Sequence, residues 1–143
     1  MNKIVVVYWS GSGNTEKMAK AIVRGAKKTG CAVEEFLVDK FDSASLDTYD
    51  GFIFGCSAMG NEVLEESEFE PFFEEAEMKL QGKPVALFGS YGWGDGEWMR
   101  NWQERVTEAG GKLYKEGLIL AGTPDENGEK ECEDFGEKFI KEY

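Results

Sequence analysis

The chain has 143 residues, enough for one domain over 1–143 that buries roughly two-thirds of the surface its unfolded form exposes. It carries 28 acidic against 16 basic residues, a net charge of −12, which excludes a nucleic-acid partner and favours partners with basic docking faces. Histidine is absent, which removes Ser-His triads, His-ligated metals and imidazole acid–base catalysis together.

The first apolar run, Ile4–Tyr8, reads as a central strand, hydrophobic on both faces. Met18, Ile22 and Ala26 then recur at four-residue steps on a helix that Gly30 stops. Val33–Val38 is a second strand, Ser43–Asp47 a short helix and Gly51–Gly55 a third strand. Ser67 and Glu70 form a capping-box pattern ahead of Phe69, Phe72, Phe73, Ala76 and Leu80, and Gly82 ends that helix. Val85–Phe88 is the fourth strand and Trp98–Ala109 a helix closed by Gly110 and Gly111. Leu113-Tyr114 and Leu118–Ala121 make a fifth strand. Cys132, Phe135, Phe139 and Ile140 mark the apolar stripe of a last helix.

Strands alternating with helices give an α/β fold, a doubly wound five-stranded parallel sheet. Ligands of such sheets bind beyond the strand C-termini, where the winding reverses. The loops after strands one, three and four therefore meet at one rim.

The first of these loops is Trp9-Ser10-Gly11-Ser12-Gly13-Asn14-Thr15, running from a buried strand into a helix N-terminus. Backbone N–H groups and the positive end of a helix dipole converge there, which suits a phosphate. No Lys or Arg lies in the loop, so neutral donors do the binding. Neither Gly11 nor Gly13 begins a Walker loop, and Glu16 stands where a dinucleotide fingerprint needs its third Gly. The loop after strand three contains Ser57-Ala58-Met59-Gly60-Asn61-Glu62, and that after strand four Ser90-Tyr91-Gly92-Trp93-Gly94. An aromatic between glycines at a ligand rim is poor core material. A planar, polarizable ring fits between Trp93 and Met59.

Three blocks, Tyr8–Thr15, Gly55–Gly60 and Leu87–Gly94, resemble the short-chain flavodoxins of anaerobic bacteria, and the resemblance covers essentially the whole chain. It implies the strand order 2-1-3-4-5 and a tightly bound, non-covalent FMN. By that resemblance Ser10, Ser12, Asn14 and Thr15 hold the FMN phosphate and Ser57 adds a hydroxyl, with Trp9, Gly11 and Gly13 shaping the same loop. Ala58 lies near the ribityl chain, Met59 covers the inner face of the ring and Trp93 stacks on the outer face. Gly60 sits beside flavin N5, Glu62 binds the N3 edge, Gly92 and Gly94 help bring backbone to the ring carbonyls, and Ser90 and Tyr91 of the same loop count among the cofactor-binding residues. Asn61 stands where Asp or Ser is usual.

The resemblance further implies a monomeric low-potential carrier, not an enzyme. It passes one electron at a time between redox enzymes, in a ferredoxin-like role, by cycling FMN between semiquinone and hydroquinone. A rotated Gly60 carbonyl stabilises the first of these states. The acids Glu62, Glu65, Glu66, Glu68, Glu70, Asp95 and Glu97 form a rim whose field opposes the second electron. The alternative is an FMN-dependent NAD(P)H-quinone reductase, which needs a second pocket that so short a chain offers little to build. A phospho-receiver domain lacks its acids here. No membrane span, no signal peptide and no metal site are expected, and Cys31, Cys56 and Cys132 read as reduced thiols of a cytoplasmic protein.

Overall fold

The computed structural model describes residues 1–143. Four strands, β1 (Lys3–Trp9), β2 (Ala32–Leu37), β3 (Gly51–Cys56) and β4 (Pro84–Tyr91), run parallel. Two short segments, β5 (Lys112–Leu113) and β6 (Leu118–Ala121), both pair with β4 and together fill the fifth position. The order is 2-1-3-4-5, as expected. The fifth strand breaks because Tyr114 turns into the core and Lys115 takes a left-handed φ of 48°.

Helices α1 (Asn14–Lys27), α2 (Phe69–Ala76), α3 (Glu97–Glu108) and α4 (Glu126–Glu142) cover the two faces of the sheet. The short helix expected after the second strand is a 3-10 segment, Ser43–Thr48. Alternate strand residues point to opposite faces. Ile4, Val6, Tyr8, Ile53 and Phe88 accordingly pack with Met18 and Ile22 of α1 and Phe139 of α4. Val5, Val7, Phe52, Phe54 and Leu87 pack with Phe69 and Phe73 of α2 and Trp98 and Trp102 of α3. On the first face α1 and α4 touch backbone to backbone. A Cβ on Gly25 would lie 1.8 Å from the Glu133 carbonyl oxygen, so only glycine fits there.

The register pairs Trp9 with Cys56 and Gly55 with Phe88, so the C-terminal ends of β1, β3 and β4 lie side by side. Their three loops share that edge.

Candidate cofactor site

A cleft of about 290 Å³ opens at this edge. Trp9, Gly11, Ser12 and Asn14 line it from the first loop, and Ser57, Ala58 and Met59 from the second. Ser90, Tyr91 and Gly92 come from β4 and the loop after it. Gly122, after β6, also lines the cleft, and Thr123 beside it donates to Asn14 Oδ1 at 2.9 Å. The sequence reading missed this fourth loop, whose only signal is a Gly-Thr at a strand end.

Two helices begin at the rim, and both begin on a left-handed glycine without a side-chain cap: Gly13 for α1 (φ 97°) and Gly96 for α3 (φ 92°). By contrast α4, which follows the fourth loop, is capped by Asp125, which accepts from Gly128 N. A helix start leaves N–H groups that need acceptors. At α1 Ser10 Oγ takes the Glu16 N–H at 3.1 Å, and Asn14, the first residue of the helix, lines the cleft, where a helix N-terminus suits an anion. At α3 the acceptor comes from elsewhere in the chain. The Glu62 carboxylate receives Gly96 N at 3.3 Å and Glu97 N at 3.2 Å. Glu62 holds a left-handed φ of 55° to do so. That backbone state costs a non-glycine residue roughly 1–2 kcal/mol. Two bonds to a charged acceptor, at roughly 1.5–3 kcal/mol each, outweigh it.

The chain buries four polar side chains, Thr15, Glu62, Glu65 and Ser90, and all four lie at this edge. Thr15 Oγ1 is 2.7 Å from Ser57 Oγ and 2.8 Å from Ser90 Oγ, so three hydroxyls from three loops meet under the cleft floor. Thr15 therefore turns its hydroxyl inward, while Ser12 and Asn14 line the cleft itself.

The loop after β3, the ring-edge loop of the resemblance, is a tight hairpin. Met59 N donates to Val63 O and Val63 N to Met59 O, enclosing Gly60, Asn61 and Glu62. Gly60 has a φ of 29° and stands clear of every neighbour within 4 Å. Gly94 packs directly on Glu62: a Cβ there would meet Glu62 Oε1 at 1.9 Å. Trp93 is 65% exposed, which rules out its packing on the sheet as a lid. Gly60, Asn61 and Trp93 are thus exposed, whereas Glu62 is buried with Gly94 packed on it.

Two expectations about charge are corrected. The capping box of Ser67 and Glu70 does not form. Glu70 is drawn to Arg105 of α3, at 2.8 Å, and the Glu65 carboxylate covers the N–H groups of Ser67, Glu68 and Phe69 instead. The acidic rim is also mostly engaged. Glu68 accepts from Trp9 Nε1, Asp95 pairs with Arg100, and Glu62 and Glu65 are buried. Glu66 and Glu97 remain exposed without an ion pair. Trp98 Nε1, unforeseen, donates to the Cys56 carbonyl at 3.2 Å and ties α3 to the end of β3. Burial pushes the Cys56 thiol up and the Cys132 thiol up to about 12, so both are held as neutral thiols.

The family model described as flavodoxin matches residues 6–136. The chain belongs to the flavodoxin family. It is 53% identical to the flavodoxin of Clostridium beijerinckii over 134 residues, 94% of this chain and 96% of that one. The solution structure of two-electron reduced Megasphaera elsdenii flavodoxin superposes with a TM-score of 0.88 at 42% identity, covering 96% of this chain and 98% of that one. A flavodoxin from the domain Archaea gives 0.90 at 27% identity, covering 98% and 97%.

Flavodoxins are FMN-binding electron carriers rather than enzymes, and this chain is one of them. Its residues fit that cofactor. The start of α1, whose Gly13 supplies no side-chain cap and whose preceding loop carries hydroxyls and no cation, suits a terminal phosphate. Met59 lines the cleft, and Trp93, exposed on the loop after β4, is free to contact a planar ring.

Proposed function

We propose that the chain carries single electrons between low-potential redox enzymes, as a monomer in the cytoplasm, shuttling FMN between its one-electron and two-electron reduced states. The observation that supports this most is the cleft lined by the loops after β1, β3 and β4, with the Thr15–Ser57–Ser90 hydroxyl cluster at its base. FMN supplies the one-electron chemistry of its ring. The protein supplies binding and an environment.

In this reading Ser10, Ser12, Asn14 and the first N–H groups of α1 hold the phosphate. The Thr15–Ser57–Ser90 hydroxyl cluster fixes the floor beneath it, with Ser57 offering its hydroxyl to the phosphate. Trp9, whose indole lies over Gly11, and Gly13 keep the first loop in shape. Ala58 borders the ribityl chain. Met59 and Trp93 exclude water from the two faces of the ring, and Tyr91, Gly92 and Gly94 approach its edge. Glu62 accepts from flavin N3. A carboxylate offers about four acceptor positions, and α3 takes only two of them. The Gly60 carbonyl would accept a hydrogen bond from an N–H at flavin N5 after its peptide rotates, and Asn61 lies in the same turn. The lack of a Cβ keeps that rotation cheap.

Partners with basic docking faces suit a chain of net charge −12, with Glu66 exposed on the loop after β3 and Glu97 exposed at the start of α3. No helix is long and apolar enough to cross a membrane. The test is purification and stepwise reduction. The protein is expected to be yellow, to release one FMN on acid extraction, and to pass through a one-electron reduced state. It should not oxidise NAD(P)H with a quinone as acceptor. Recovery of FAD, or rapid NAD(P)H–quinone turnover, would overturn the proposal.

A further inference from the structure

Of the four buried polar side chains, three have a place in the site described above. Thr15 and Ser90 join the hydroxyl cluster, and Glu62 reaches α3 and the ring edge. Glu65 touches neither the cleft nor the other three, yet it is only 7% exposed. Four donors converge on its carboxylate: Ser67 N at 2.9 Å, Glu68 N at 2.8 Å, Phe69 N at 2.9 Å and the Ser67 hydroxyl. Its own N–H points at Cys56 Sγ, at 3.5 Å, at the end of β3. Its carbonyl accepts from Glu70 N at 2.8 Å.

A helix start does not by itself need this arrangement. A neutral Ser or Asn at the N-cap satisfies one or two N–H groups without burying a charge. Burying a carboxylate costs several kcal/mol unless its acceptor sites are filled. Here the N-cap residue, Glu68, supplies no side-chain bond to its own helix, and the cap reaches in from three residues earlier. What the longer reach adds is a hold on the chain before the helix. That chain is the ring-edge loop.

We propose that Glu65 is a positioning residue of the redox site, pinning the exit of the ring-edge loop so that Gly60 and Glu62 meet the flavin in a fixed place. The loop then has three anchors. Ala58 N donates to Ser90 O at 3.0 Å where it enters. Glu62 binds the start of α3 in its middle. Glu65 binds the start of α2 where it leaves. Between the anchors, Gly60 and Asn61 are exposed and unpinned, so the peptide that rotates is the one part left free. This rests on the FMN-carrier reading, and its test includes a measurement that needs no FMN.

The comparison is Glu65→Gln against Glu66→Gln in the full chain. Each removes one negative charge, at adjacent positions, but only the first residue is buried and bonded. An amide presents an NH₂ to N–H donors that need acceptors, so Glu65→Gln loosens the anchor while keeping its size. The first readout is amide hydrogen exchange of the FMN-free protein. Glu65→Gln should speed exchange about tenfold at Met59 and Val63 as well as at Ser67–Phe69, the amount expected from losing one bond to a charged acceptor. Glu66→Gln should leave those amides unchanged. The second readout is the FMN-loaded protein. Glu65→Gln should weaken FMN binding and lower the first one-electron potential equally at low and high salt. Any shift in Glu66→Gln should fall on the second potential and fade as salt rises.

Matching behaviour of the two variants would show a field effect and sink the proposal. So would faster exchange confined to Ser67–Phe69 with both potentials at wild type, which would make Glu65 a helix cap alone. Should Glu65→Gln fail to fold, Ser67→Ala keeps the charge, removes one donor and should move the same readouts the same way by less; no movement there counts against the proposal. Failure of the wild type to bind FMN would overturn the carrier reading while the exchange comparison still decides the anchor.

Discussion

Thr15 and Ser90, 75 residues apart in the chain, are joined twice: their hydroxyl oxygens lie 2.8 Å apart, and the Ser90 N–H points at Thr15 Oγ1 from 3.2 Å. Thr15 lies in the first turn of α1 and Ser90 near the end of β4, so this contact locks the loop after β1 to the strand that leads to Trp93. Thr15→Val keeps the shape and removes the oxygen. It leaves the buried Ser90 N–H without an acceptor, a penalty of about 1–3 kcal/mol. Urea unfolding of the FMN-free protein should show a loss of that size. FMN binding should weaken more than riboflavin binding, because the displaced loop faces the phosphate. Equal weakening of the two ligands would place the contact's effect elsewhere in the site.

Trp93 offers the opposite case. With 65% of its surface exposed it contributes little to the fold, and Trp93→Ala should change the stability of the FMN-free protein by no more than about 0.5 kcal/mol. FMN affinity should nonetheless fall by about tenfold or more, since stacking adds roughly 0.5–1.5 kcal/mol to the apolar area lost. Water reaching the ring should also make the second one-electron potential less negative. Calorimetric titration with FMN and potentiometry check both. Wild-type affinity would remove Trp93 from the ring face.

Strand runs, the hydroxyl-rich loop and the Gly-Trp-Gly turn were legible in sequence because each declares itself within a few residues. Ile4–Tyr8 is apolar throughout, and the alternation that splits it between two cores needs no further information. Charge was less legible. Glu62, Glu65, Glu66, Glu68 and Glu70 look alike in sequence as one acidic stretch, yet they divide into two buried caps, an exposed charge, a Trp9 acceptor and an Arg105 partner. The partners lie up to 59 residues away, and no local pattern reports them. The Ser67–Glu70 capping motif misled for the same reason. Arg105, half-buried between α2 and α3, offers Glu70 a charged partner that its own helix start cannot match.

Glu65 also makes a pH prediction. Burial pushes its carboxyl up, but the bonds from the Ser67 hydroxyl and from the Phe69, Glu68 and Ser67 amides pull it below the ordinary carboxylate range. A lowered folded-state pKa means that the carboxylate stabilises the fold fully above its unfolded value, about 4.3. The contribution is lost as pH falls from there through the folded value. The stability gap between wild type and Glu65→Gln should be constant from neutral pH to about 5 and close at lower pH. Urea midpoints across this range measure it. A gap that stays constant into strong acid would mean that Glu65 is not stabilised as the anion.

Glu66 and Glu97 are the exposed, unpaired acids of the rim, and they carry the electrostatic prediction that the engaged acids cannot. Changing both to Gln should slow electron transfer to a basic redox partner at low salt and raise the second potential slightly. A charge about 10 Å from the ring contributes roughly 0.4 kcal/mol in a water-like dielectric. Both effects should shrink as salt shortens the range of surface charge. Stopped-flow transfer rates across ionic strength decide it. Equal rates at every salt concentration would leave the acids with solubility alone.

Gly60 tests the peptide rotation itself. Its missing Cβ would meet nothing within 4 Å, so a larger side chain causes no clash, and any effect comes through the backbone. Its φ of 29° lies in the left-handed region that a β-branched residue resists. Gly60→Val should therefore bind oxidised FMN nearly as well as wild type, because the phosphate loop and Trp93 are untouched. Presenting the carbonyl to a protonated N5 would then carry the strain of a disfavoured backbone state, about 1–3 kcal/mol. At ~59 mV per 1.4 kcal/mol, the first one-electron potential should drop by roughly 40–130 mV. Gly60→Ala, with no branch at Cβ, should fall between the two. The two potentials approach each other in that order, and less of the blue one-electron reduced protein accumulates at half reduction. If Gly60→Val accumulates as much of it as wild type, rotation of this peptide is not what sets the first potential, and the stabilising contact must come from another part of the ring-edge loop.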